Sequence, residues 1–581
     1  MNELQPIALE RDDATADLVV TDGRVYCSNR REFLERDVAV VDDSIAALLE
    51  DATSVVGPET TVVSAAGQYV LPGFIDAHTH ADIQLIPERA VPSLLTAGTT
   101  SIVTETSGLG LLFGSRGVET TLERTADGPL TTYLTVPPQW FVDTFEPARG
   151  DEDELDALAA LLEHERVVGV GEIDWIHVVG RSAPLEALYE RAREANTRIV
   201  GHGAGCRGEA LRAFATVADN DHEAIAAEGI RERATNGIHV VGRCGTIRDD
   251  LEALVDALPD LDRGSVSLST DGVWPVELKD GFGMHEVVRR TIDAGVPAAD
   301  AIDAATRNTA EHFGLEDRGV VAPGAMADLV VVDDLETIAV DTVVSEGSVV
   351  VDDGAPAIEP RTDPYPDYVY DTVSVDLERE RFTVPRESVR TDSVRAMAVE
   401  RGLVTTGTTA EPGIDAETDR FVPAPEHDAL TATLIDRAPG TDDRGFTGFL
   451  SGFGLETGAV ATTGTWEVPG LLTVAADTDD AVVAAEHVAS MGGGFAIARD
   501  GSVVADLAMP VGATAAEAPL EKVAEEFRAL EDALRELGTD IERPLLTLQT
   551  LTFLGVPTLK LTSSGYADVL DRSLVGLGLE E

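Results

Sequence analysis

Along residues 17–70, short apolar and β-branched runs alternate with Asp-Gly and Gly-rich turns: "DLVVTDGRVYC", "DVAVVDDSIAAL" and "TTVVSAAGQYVLPG". Such runs predict a small unit of short strands, because alternation buries one face of a strand and Asp-Gly accepts the backbone of a tight turn. From about residue 71 to 318 the pattern changes. Apolar strands ("TTSIVTET", "VVGVGEIDW", "RIVGHGAG", "GIHVVGRCG", "GSVSLSTDG") are separated by stretches such as "EDELDALAALLEHE" and "PLEALYERAREANT", in which apolar residues recur at i, i+3 and i+4. Strand and helix alternating over ~250 residues predict a parallel barrel or a doubly wound sheet. "GVVAPGAMADLVVVDDL" and "TVVSEGSVVVDDG" then return to short strands. These are expected to rejoin the first unit, making one discontinuous β domain of residues 1–70 and 319–360 around a barrel of residues 71–318. The proline- and acid-rich run "PAIEPRTDPYPDY" places a linker within 356–372. Residues 373–581 mix strands ("GLLTVAAD", "GGFAIARDGSVVADLAM") with helices ("DDAVVAAEHVASM", "PLEKVAEEFRALEDALRELG") and read as a further α+β or α/β domain.

Composition narrows the class. The chain has 581 residues, 44% of them hydrophobic, enough for several cores. No apolar run approaches the ~20 residues needed to span a bilayer. The acidic start "MNELQPIALERDDATAD" lacks the basic and apolar regions of a secretory signal, so a cytoplasmic location is expected. Acidic residues number 105 against 43 basic ones, a net charge of −62, and only Lys279, Lys522 and Lys560 are lysines. The acids are spread along the chain, a pattern suited to a halophile's surface, where molar salt shortens the Debye length to about 3 Å and screens self-repulsion. This excludes nucleic acid as an expected partner. Three cysteines, Cys27, Cys206 and Cys244, without a CxxC pair, support neither a disulfide framework nor a thiolate zinc site.

The chemistry lies where apolar strands end. In "LPGFIDAHTH", residues 71–80, His78 and His80 share one strand face and point at one place, with Asp76 on the same face as a candidate partner for an imidazole. Glu172 closes "VVGVGE", His202 closes "RIVGHG", His222 sits in "DNDHE" and Asp271 closes "SVSLSTDG". In a βα barrel those ends meet on one face, and imidazoles with carboxylates suit one or two divalent ions. Each histidine taken alone is more often a hydrogen-bonded structural residue; titratable groups at the ends of several apolar strands are not something packing requires. His164, in an acidic helix, and His312, in "TAEHFGL", read as solvent-facing or structural. His177, His239, His285, His427 and His487 show no pattern.

"LPGFIDAHTH" with "GTTSIV", and "AIDAATRNTAEHFGLEDRGVVAPGAMADLVVVDDL", resemble the amidohydrolase superfamily; "VGVGEI", "GHGAG", "NDHEA", "GRCGT" and "STDG" in that order are similar to its adenine deaminases. "SGFGLETGAVAT", "MGGGFAIARDGSVVADLAMPVG" and "PLLTLQTLTFLGVPTLKLTSSGYADV" extend the resemblance into the last third, an adenine-deaminase-like domain at 373–581. It implies an α/β fold: a (β/α)8 TIM-like hydrolase barrel, a flanking discontinuous β-sandwich and a C-terminal α+β domain. It also implies two divalent ions, manganese first and iron or zinc as alternatives, and hydrolysis of adenine to hypoxanthine and ammonia through hydroxide attack at C6. By position His78 and His80 would hold one ion, His202 and His222 the other, Glu172 would bridge them, and Asp271 would face the water and shuttle its proton. Glu223 and Arg243 are candidates for orienting a purine-like substrate, a surface ion pair being the plainer role for Arg243. The family further implies a homo-oligomer. Three segments depart from the family's pattern: "TETSGLG" around Glu105 in place of an Asp-Pro-His-Glu-like run, Asp271-Gly272 in place of Asp-Asp, and "GTWEVPG" at 464–470 in place of His-Asp-Ser-His-Asn. Hydrolysis of another small cyclic amide or heterocycle, and a non-catalytic metal-binding relative, are the alternative readings. The absence of CxxC, of a Gly-x-Ser-x-Gly elbow and of a P-loop excludes cytidine-type deaminases, serine hydrolases and P-loop nucleotide binding.

Overall fold

The computed structural model describes residues 15–401, 403–438 and 444–579. Residues 1–14, on which the reading of the N-terminus largely rests, lie outside them. Eight parallel strands follow one another around a barrel: β1 (Phe74–Thr79), β2 (Thr99–Thr104), β3 (Thr131–Val136), β4 (Val167–Asp174), β5 (Arg198–His202), β6 (Asn220–Asp221), β7 (His239–Arg243) and β8 (Val266–Ser269). The ring is nearly closed where the Asp271 N–H donates to the His78 carbonyl, 3.0 Å, bringing the end of β8 beside β1. All eight residues of β4 are buried, which is why parallel strands read as apolar runs: both of their faces are covered. Two barrel strands escape the sequence pattern. β3, "TTYLTV", is threonine-rich, and β6 is two residues long, too short to show any period.

The strand Tyr69–Pro72 runs straight into β1 and pairs antiparallel with Leu329–Val332, Leu329 opposite Pro72. The seven-stranded sheet they share therefore draws on chain from both sides of the barrel, and a four-stranded sheet faces it. Leu18, Val20, Val38, Val40, Val70, Leu329 and Val331 form a common core. The last third is built on an eight-stranded, largely antiparallel sheet with the helices Thr478–Ser490 and Leu520–Glu536 packed on it, an α+β arrangement. It is joined to the barrel: Ala515–Ala516 pairs in parallel with Gln84–Leu85, and Arg543 Nη1 donates to the Thr246 carbonyl at 2.6 Å.

The stretch expected to be a linker is tied down instead. The Tyr365 hydroxyl donates to Glu88 Oε2 at 2.8 Å, the Arg124 guanidinium lies 4.2 Å over the Tyr365 ring, and Val369 is fully buried. Its tyrosines supply apolar area that prolines and acids would not, and that area packs on the barrel flank. Among the described residues no helix is long and apolar enough to cross a membrane.

Candidate metal centre at the barrel mouth

The six strand-end residues reach one place. His78 lies in β1 and His80 just after it, Glu172 in β4, His202 at the end of β5, His222 just after β6 and Asp271 just after β8. Glu172 Oε2 is the hub, 3.3 Å from His78 Nε2, 3.5 Å from His202 Nδ1 and 3.2 Å from His222 Nε2. Asp271 Oδ1 is 3.5 Å from His78 Nε2 and 3.7 Å from His80 Nε2. Three triads overlap, each with donor atoms within 4.8 Å of one another: His78 with His222 and Asp271, His78 with His80 and Glu172, and Glu172 with His202 and His222.

This set fits a divalent metal. Both ring nitrogens of His78 and of His202, and Glu172 Oε2, are buried with no hydrogen-bond partner. An unpaired buried polar atom costs ~1–3 kcal/mol, and one partner satisfies imidazole nitrogens and a carboxylate oxygen together: a cation that takes N and O ligands. Electrostatics agree. Burial opposes charge on each group, yet His202, His222 and His78 hold the Glu172 carboxyl well below its usual range, and Glu172, Glu105 and Asp271 raise His78 to about 9.

The surrounding groups differ from expectation in two respects. Asp76 does not reach an imidazole: its carboxylate accepts from the Thr270 N–H at 3.0 Å and hydroxyl at 2.5 Å, and from the His78 N–H at 3.4 Å. It braces the turn that carries Asp271, whose backbone is left-handed with φ 53°. The carboxylate beside His78 is Glu105, with Oε1 3.6 Å from His78 Nδ1, and Ser107 Oγ meets His80 Nδ1 at 2.9 Å. Both come from "TETSGLG". Arg243, 1% exposed at the end of β7, is no surface ion pair. Its Nη1 donates to Glu223 and to Asp271 Oδ2 (3.1 Å), while Nε and Nη2 donate to Asp250 Oδ2 at 3.0 and 2.8 Å. Burial would raise the Glu223 carboxyl, but Arg243, His202 and His222 bring it down to about 2.

The centre opens into a cavity of about 880 Å³ with two sources of wall. The barrel loops line one side, and residues of the last third, including Leu403, Trp466, Glu467 and Phe553, line the other. Glu467 is the group that reading single strand ends could not find, because it arrives from a separate sheet; "GTWEVPG" showed only that the segment departs from the family. Burial, with Asp174 and Glu172 nearby, pushes its carboxyl well above the usual range. The other histidines stand apart. His164 is exposed, and buried His177 meets Thr144 Oγ1 at 2.9 Å. His312 stacks on His239 at the opposite end of the barrel.

The description "Amidohydrolase family" matches residues 69–351, and "Adenine deaminase C-terminal domain" matches residues 403–573. The chain is 30% identical over 568 residues to an adenine deaminase of Desulfatibacillum aliphaticivorans, covering 97% of this chain and 98% of that one. It is 31% identical over 563 residues to an adenine deaminase of Cereibacter sphaeroides, covering 95% and 96%. Among solved structures, a β-aspartyl dipeptidase from Fervidobacterium islandicum AW-1 is similar over 60% of this chain and 99% of its own, at 19% identity and a TM-score of 0.47. With 30–31% identity to the two adenine deaminases over 95–97% of its length, and a parallel barrel that gathers histidines and carboxylates at its strand ends, the chain belongs to the adenine deaminase family of the amidohydrolases.

Proposed function

We propose that this chain hydrolyses adenine to hypoxanthine and ammonia at a centre of two divalent ions, manganese by preference, held by His78, His80, Glu172, His202, His222 and Asp271. The observation that carries the reading is the convergence of orphaned imidazole nitrogens and the Glu172 oxygen at the mouth of a cavity large enough for a purine. Divalent ions held there by these residues would supply Lewis acidity, the chemistry that makes a water's proton removable near neutral pH. The side chains do the rest. Arg243 occupies Asp271 Oδ2, leaving Oδ1 directed at His78 and His80 as the base that takes the proton of the attacking water and passes it to the leaving amine. Glu223, kept ionised by Arg243, is an acceptor at the cavity wall and orients an N–H edge of the substrate. Arg243 acts by holding both carboxylates in place rather than by touching the purine. The last third walls one side of the cavity, reducing bulk water around the reacting carbon.

The test is to purify the chain in molar KCl with Mn²⁺ and follow the absorbance change from adenine to hypoxanthine, with His78→Ala as control. Turnover in wild type, two ions per chain and loss of both in the variant are expected. Two bound ions without turnover of adenine would overturn the substrate and favour another cyclic amide or heterocycle.

A further inference from the structure

The segment 464–470 enters the barrel mouth from the last third, and the chemistry above gives it no role. It is a closed loop. Thr465 Oγ1 donates to the Val468 carbonyl at 2.5 Å and accepts from the Gly470 N–H at 3.3 Å; the Gly464 N–H donates to Thr462 Oγ1 at 2.9 Å, and Gln549 Nε2 to the Gly464 carbonyl at 2.6 Å. Aromatic rings key it to the metal centre: Trp466 packs edge-on to Phe553 at 5.4 Å, and Phe553 edge-on to His202 at 5.1 Å. The loop holds Glu467 at φ 59°, the left-handed region that non-glycine residues enter only at an energetic cost. Strain that the surroundings enforce marks a residue whose placement matters.

The Glu467 side chain lines the main cavity beside Glu172 and Gln139, and it also borders a smaller chamber of about 90 Å³ behind Glu172. Among the described residues its hydrogen bonding is one long contact: Gln139 Nε2 at 3.4 Å, the same amide that reaches the Glu172 carbonyl at 3.3 Å. The charges acting on it most are the carboxylates of Asp174 and Glu172, opposed more weakly by His202, and among the described residues no cationic side chain pairs with it. A carboxyl group offers about four hydrogen-bonding positions, and here most of them are unused beside a cavity.

We propose that Glu467 is a substrate-recognition residue, its carboxyl group hydrogen-bonding the ring edge of a planar nitrogen heterocycle seated in front of Glu172. The proposal rests on the adenine reading and deepens it: the barrel supplies the reacting centre, and the last third reads the ring. Adenine presents adjacent ring nitrogens and N–H groups in one plane, and a single carboxyl group can pair with such an edge.

The experiment compares wild type, Glu467→Leu and Glu467→Gln, each loaded with Mn²⁺, by adenine kinetics, metal content, melting temperature and calorimetric binding of hypoxanthine, which is not consumed. Glu467→Leu is expected to lower kcat/KM at least 30-fold, mainly through KM, and to weaken hypoxanthine binding in parallel, with two ions per chain retained. Glu467→Gln, which keeps a planar donor and acceptor, is expected to stay within about fivefold of wild type. The proposal is overturned if Glu467→Leu stays within threefold of wild type, if its loss follows metal loss or unfolding, or if Glu467→Gln is as impaired as Glu467→Leu. A wild type inactive on adenine overturns the functional reading as well; an active wild type with unaffected variants overturns this proposal alone.

Discussion

Two stacked pairs of imidazoles lie in the same barrel, and they are nearly superposable in geometry. At the mouth, His78 and His222 stack with centroids 4.0 Å apart and planes at 21°; at the other end, His239 and His312 stack at 4.1 Å and 21°. Their surroundings are opposite. Nε2 of His78 and Nε2 of His222 both face Glu172, with Asp271 and Glu223 beside them, and His78 is raised to about 9. His239 Nε2 meets Ser267 Oγ at 2.8 Å and His312 Nε2 meets the Asn220 amide at 2.9 Å, with Arg198 as the nearby charge, and burial lowers His239 to about 4. A buried histidine pair therefore means nothing without its partners. Carboxylates with unspent oxygens make a cation site; neutral hydroxyl and amide partners make a piece of core.

The largest effect that separates the two ends is on turnover and metal. Glu172→Gln or His78→Ala should lower adenine turnover by about a thousandfold or more and reduce the ions retained per chain, because metal activation of water is lost with the ligand. His312→Phe should leave metal content unchanged and turnover within about twofold; a loss of ions there, measured by elemental analysis, would break the distinction.

Next in size is the cost of uncovering buried charge. Arg243→Met leaves Glu223, Asp250 and Asp271 facing one another in the interior and should destabilise the chain by ~3–5 kcal/mol in urea unfolding. A change below ~1 kcal/mol would show that the carboxylates are neutralised some other way.

The far pair predicts a pH effect of somewhat smaller size. His239 is neutral in the folded chain down to about pH 4, while the unfolded chain takes up its proton near 6.5. The unfolded state thus binds more protons between those values, and this group's contribution, on the order of 3 kcal/mol, is full above pH 6.5 and lost as pH falls toward 4. Unfolding curves of wild type and His239→Asn at pH 7 and pH 4.5 should converge at the lower pH; parallel curves would contradict the depressed imidazole.

The smallest expected difference is thermal. Mn²⁺ at a hundred times its dissociation constant should add about 2.7 kcal/mol to the folded state, seen as a rise of a few degrees in melting temperature. The rise should persist in His239→Asn and vanish in His78→Ala.

Much of the mouth was legible along the chain because several of the residues gathered there end apolar strands: His78 and His80 after "GFIDA", His202 after "RIVG", Asp271 after "SVSLST". His312 was equally visible but not its partner, since nothing near "TAEHFGL" says that His239 lies against it. β6 is only Asn220–Asp221, so His222 was found through its neighbours in sequence and not through a strand. Asp76 and Glu105 exchanged the role expected of one of them. Strand-face parity places Asp76 with the histidines but cannot tell that Thr270 claims its oxygens or that β2 brings Glu105 to His78.

Local pattern was sufficient for six of the eight barrel strands and for an alternating α/β class, because burial of both strand faces is written into an apolar run, and it marked the strand-end histidines and carboxylates that the parallel barrel gathers at its mouth. Partnership was another matter. Which carboxylate meets which imidazole, and the meeting of Glu223 and Asp271 on Arg243, depend on contacts between the ends of different barrel strands, tens of residues apart or more. The strap pinned by Tyr365 and Glu467 entering from a distant sheet depend on segments hundreds of residues apart. Hydrogen bonds and ion pairs act over a few ångströms, so these could be known only once the folded chain had brought their atoms within that range.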